Sequence, residues 1–177
     1  MHTKAKKLAL SGLMLALTEV FISLGSVIEM NTLFLLAAAS FFVGIVIREF
    51  QLHTGMAFYI AGVLLGFIIA PNKIYVIFYA MMGLYILLTE IVWEKLGKVD
   101  SVKNRKAVFC MAKYVIFNII FLTAVLGFGE ILVMHSLSTK LKIVIIISGQ
   151  VGICLFDRAY CYVQLELWNK LRGKLLY

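Results

Sequence analysis

Six apolar runs, separated by short polar stretches, limit what this chain can become. They cover about residues 8–28, 32–47, 55–70, 74–93, 107–126 and 143–167. As helices, these are of the length that crosses a hydrocarbon core. The runs are continuous rather than alternating, which points to helices and away from a barrel. Only 15% of the residues are charged, against about a quarter in a soluble domain. The expected architecture is an all-α integral membrane protein, a compact six-transmembrane-helix bundle forming one domain over residues 1–177. The first run is too long for a signal peptide, lacks a small-x-small cleavage site and is followed by further spans.

The net charge of +8 is not the footprint of a nucleic-acid binder, because of where the charges fall. With these spans, Lys4, Lys6, Lys7, Arg48, Lys95, Lys98, Lys103, Arg105, Lys106, Lys170, Arg172 and Lys174 lie on one side. Lys73, Lys140 and Lys142 lie on the other. By the positive-inside rule both termini are expected to be cytoplasmic. Cys110, Cys154 and Cys161 sit in apolar runs without a CxxC pair and read as small buried residues, with no disulfide and no metal expected.

The stretch from Lys4 to Met30 opens with three lysines and carries Ala5, Ala9, Gly12 and Ala16 at intervals of four, three and four. On a helix these share one stripe. A stripe nearly free of side chains lets a second helix approach closely, whether from a partner or from the same chain. Glu19 follows a turn later and is expected on the same side.

Ionisable and amide groups inside spans are costly and are the first candidates for function. Lys113 and Asp157 both fall roughly 9 Å from the inner end of their spans at 1.5 Å per residue, which predicts an ion pair. Glu19, Tyr75, Tyr79, Asn118 and Gln150 fall at the midplane or in the outer half. They are candidate lining for an outward-facing pocket, with Asn72, Lys73, Glu130 and His135 at its rim. The alternative is that the amides only bridge helices and the tyrosines only mark the headgroup level. No HExxH, GxSxG, GxGxxG or P-loop pattern occurs, so neither an enzyme nor a nucleotide-driven pump is expected, and no cofactor is implied.

The Lys-rich start, the first helix reading KLALSGLMLAL, the segments NTLFLLAAASFFVGIVIREF and APNKIYVIFYAMMGLY, and Asp157 to Tyr160 with a basic tail together resemble the S components of energy-coupling factor transporters. The resemblance implies a subunit of the bacterial cytoplasmic membrane that captures a vitamin or similar micronutrient. It also implies partners: a transmembrane T component and two cytoplasmic ATPases. The family docks through Ala-x-x-x-Ala on its first helix, which Ala5 and Ala9 match literally and Gly12 and Ala16 match as small-xxx-small. A non-transport scaffold of the MreD rod-shape type, with similar length and layout, is the competing expectation.

Overall fold

The computed structural model describes residues 2–98, 104–127 and 139–175. Glu130 and His135 therefore lie outside the described residues. The chain forms α1 (His2–Val27), a 3-10 turn (Glu29–Asn31), α2 (Thr32–Phe50), α3 (Leu52–Ile69), α4 (Lys73–Gly97), α5 (Arg105–Gly127) and α6 (Thr139–Tyr162). A π-helical stretch (Val163–Trp168) then leads into α7 (Asn169–Leu175). Among the described residues, six helices are long and apolar enough to cross a membrane. This is a multi-pass, all-helical membrane protein.

The helices outrun the apolar runs at several ends. α1 begins at His2 rather than residue 8, and α4 continues to Gly97 rather than 93. Lys and Ala are good helix formers, so polar residues at a membrane surface prolong a helix instead of ending it. The helices stop where local chemistry stops them. Ala70 is extended (φ −66°, ψ 132°) ahead of Pro71, as a residue before proline prefers. The Asn72 side chain then accepts a hydrogen bond from the Ile74 N–H at 3.1 Å and caps α4. Between α2 and α3 there is only Gln51, at φ 75° and ψ 162°, backbone space that is nearly glycine-only.

α2 is the central helix, packed by α1, α3 and α4. From Phe41 to Ile47 it is apolar all round, as befits a helix packed on several sides: Val43, Ile45, Val46 and Ile47 are all buried. Small residues admit the neighbours. At Gly44 the Tyr160 ring of α6 occupies the space a side chain would need. α5 and α6 lie at the periphery and bury least. Large apolar side chains such as Met111, Val115, Val151 and Leu155 are exposed, which in lipid carries no cost.

Two expectations need correction. Cys110 and Cys154 are exposed and Cys161 is half-buried, because the outward face of a peripheral membrane helix is as apolar as its inward face. Glu19 lies close to the small-residue stripe round the helix but is not open as the stripe is. Ala5, Ala9, Gly12 and Ala16 are all exposed, whereas Glu19 is 7% exposed and points into the bundle. At 100° per residue Glu19 is only about 20° round the helix from Gly12; it is buried because α3 covers α1 at that level, with Gly66 beside the carboxyl. Nothing in the described chain comes within 4 Å of the position a Gly12 side chain would take. The stripe therefore does not pack within the described chain.

Candidate solute site

α5 and α6 meet along a seam of paired side chains. Starting from the end of α5 nearest Arg105, Lys113 Nζ donates to Asp157 Oδ1 at 2.6 Å. Tyr114 Oη and Cys154 Sγ are 3.1 Å apart, and Gln150 Nε2 donates to Asn118 Oδ1 at 2.8 Å. The Phe121 ring then covers Gly149. Each step along α5 is matched by a step back along α6, so the seam is an antiparallel zipper. It is held mainly by polar pairs where most membrane helices use apolar interdigitation.

The Lys113 end of this seam opens into a cleft of about 160 Å³ lined by Tyr85, Cys110, Lys113, Tyr114, Ile153, Cys154 and Asp157. The Lys113 side chain is 15% exposed and that of Asp157 31%. Lys113 Nζ also stands 4.6 Å from the Phe109 ring centroid, a favourable place for a cation. Tyr85 comes from α4. Its ring meets Phe117 and Phe156 edge-on, while its hydroxyl is buried and unpartnered. A buried hydroxyl without a partner is costly and marks a place where a water or ligand would be held.

Two further polar clusters occur. Glu19 and Tyr79 lie between α1, α3 and α4, with the Glu19 carboxyl beside Gly66 and the Tyr79 hydroxyl against Gly62, one turn apart on α3. None of their three side-chain oxygens has a hydrogen-bond partner. The α3 backbone closes on the Tyr79 hydroxyl because Gly62 has no side chain, and little room is left there. Near the α2–α3 turn, Arg48 Nε and Nη2 donate to Glu90 Oε1 at 3.0 and 2.6 Å, and Tyr160 Oη donates to the same oxygen at 2.6 Å. Glu49 Oε1 accepts from Trp168 Nε1 at 2.8 Å and pairs with Arg172 Nε at 3.2 Å. The buried Gln164 amide of the π-helical stretch has no partner.

The expected pocket residues thus separate. Glu19 and Tyr79 face one interior; Asn118 and Gln150 bond each other across the seam. Lys73 Nζ donates to the Ala70 carbonyl at 2.7 Å, so with Asn72 it serves the α3–α4 turn. Tyr75 packs on the main core. Sequence reading missed Tyr85 and the Glu90 cluster. Glu90 was signalled by an acidic residue inside an apolar span at the depth of Arg48, the same depth argument that pairs Lys113 with Asp157. No protein-family model matches the chain, and comparison with curated proteins and with solved structures finds no similar protein.

Proposed function

We propose that the chain is the substrate-capture subunit of an energy-coupling factor importer in the bacterial cytoplasmic membrane, its termini cytoplasmic. The observation that carries this reading is the outward-facing stripe of Ala5, Ala9, Gly12 and Ala16, whose side chains the described chain leaves uncovered. A surface that flat, set among exposed Leu8, Leu13 and Leu17, suits close approach by a partner helix. The polar-lined cleft between α4, α5 and α6 suits retention of a small, vitamin-like solute. A T component and two ATPases would supply the coupling.

The test is copurification of the tagged protein from native membranes in mild detergent. An ATPase pair with a T component supports the reading. Cell-wall or division proteins without ATPases would overturn it in favour of the MreD-type scaffold, which would use the same stripe.

A further inference from the structure

We infer that the α4–α5–α6 cleft takes a small zwitterionic solute, an ammonium and a carboxylate carried on a short apolar body. The inference rests on the capture reading above and adds the class of cargo.

The cleft wall holds one positive and one negative group, Lys113 and Asp157, at 2.6 Å. The pair sums to zero, so a ligand with net charge would bring an uncompensated charge into a low-dielectric site, which is strongly unfavourable. A zwitterion brings none. The donors and acceptors left over also match. Lys113 uses one N–H on Asp157 Oδ1, and an ammonium has three donors, so a carboxylate can be held there. Asp157 Oδ2 accepts no hydrogen bond among the described residues and faces an ammonium's needs. The unpartnered Tyr85 hydroxyl supplies a further donor, and the contacts of its ring with Phe117 and Phe156 fix its place. Ile153 and the two cysteines give the apolar wall. At about 160 Å³ the cleft is close to the size of a cavity that takes benzene, so the body has on the order of six to ten non-hydrogen atoms.

Cys110 and Cys154 report occupancy because both line the cleft. The experiment follows their alkylation by a charged, membrane-impermeant maleimide, which does not reach them from lipid, in the whole protein reconstituted in phosphatidylglycerol vesicles, with each site resolved by peptide mass spectrometry. The probes share size but not charge: L-leucine and 6-aminohexanoate are zwitterions, 3-methylbutylamine lacks the carboxylate and 4-methylpentanoate lacks the amine. At least one zwitterion should slow labelling of Cys110 and Cys154 several-fold, leave Cys161 unchanged, and outdo both singly charged probes. Tyr85→Phe removes one hydroxyl with little risk to folding and should raise the protecting concentration about tenfold, which corresponds to 1.4 kcal/mol. Three results would overturn the inference. They are no protection by either zwitterion, equal protection by a singly charged probe, or protection by phosphatidylethanolamine vesicles without solute, which would assign the cleft to a lipid headgroup. Copurifying ATPases without zwitterion protection would remove this inference and leave the importer reading standing; protection without ATPases would do the reverse.

Discussion

Tyr160 donates to Glu90 Oε1 at 2.6 Å across 70 positions of sequence, and that bond fastens the last membrane helix to the centre of the bundle. The ring reaches Glu90 only because Gly44 of α2 leaves its path clear, and the Arg48 guanidinium lies 5.5 Å from the ring centroid. Three helices are tied at one carboxylate.

Gly44→Ala should therefore cost stability. The added methyl would displace the Tyr160 ring, and overpacking of a tight interior typically costs about 1–3 kcal/mol. The thermal midpoint in detergent should fall, while Gly12→Ala, inside a helix with open space beside it, should leave it unchanged or raise it slightly, since glycine costs a helix interior about 0.5–1 kcal/mol against alanine.

Removing one member of the Arg48–Glu90 pair should hurt more than its share. Glu90→Gln leaves the guanidinium without its charge partner, and Arg48→Gln leaves a buried carboxylate held by Tyr160 alone. A double-mutant cycle should give a coupling energy of about 0.5–3 kcal/mol; simple additivity of the two losses would show that the pair contributes nothing as a pair.

Gln51 occupies φ 75° in a connection of one residue. A strained position of this kind costs on the order of 1–3 kcal/mol, more than glycine's extra chain entropy of about 0.5–1 kcal/mol. Gln51→Gly should raise the unfolding midpoint, and Gln51→Val should lower it.

Lys113 and Asp157 are joined by charge rather than shape. Each single neutralising change should reduce folded yield, and exchanging the two residues should restore most of it. Failure of the exchange would mean that the surrounding contacts, Phe109 above all, matter more than the charge pair.

Much of the fold was legible because lipid leaves a chain few options: continuous apolar runs must be helices. The depth of a residue was legible too, since rise per residue is fixed, and depth alone predicts Lys113 opposite Asp157. Azimuth was not. In a soluble helix polarity tells the outer face from the inner, but in lipid both faces are apolar and the pattern is silent. That is why Glu19 was expected on the open side with Ala16 although α3 covers it, why the cysteines were expected to be buried, and why Glu19 and Asn118 were grouped although different helices enclose them. Tyr85 looked like any other span tyrosine until its hydroxyl proved to have no partner.

The central claim is that the α1 stripe is an interface. Its most direct test is photo-crosslinking in native membranes from a benzophenone side chain placed at Gly12, with Met111 on the exposed face of α5 as the comparison site. The account predicts a strong adduct from position 12 to a single membrane protein that travels with ATPase subunits, and none of comparable yield from position 111. Equal adducts from both positions, or none from position 12 in a protein shown to be folded, would contradict it.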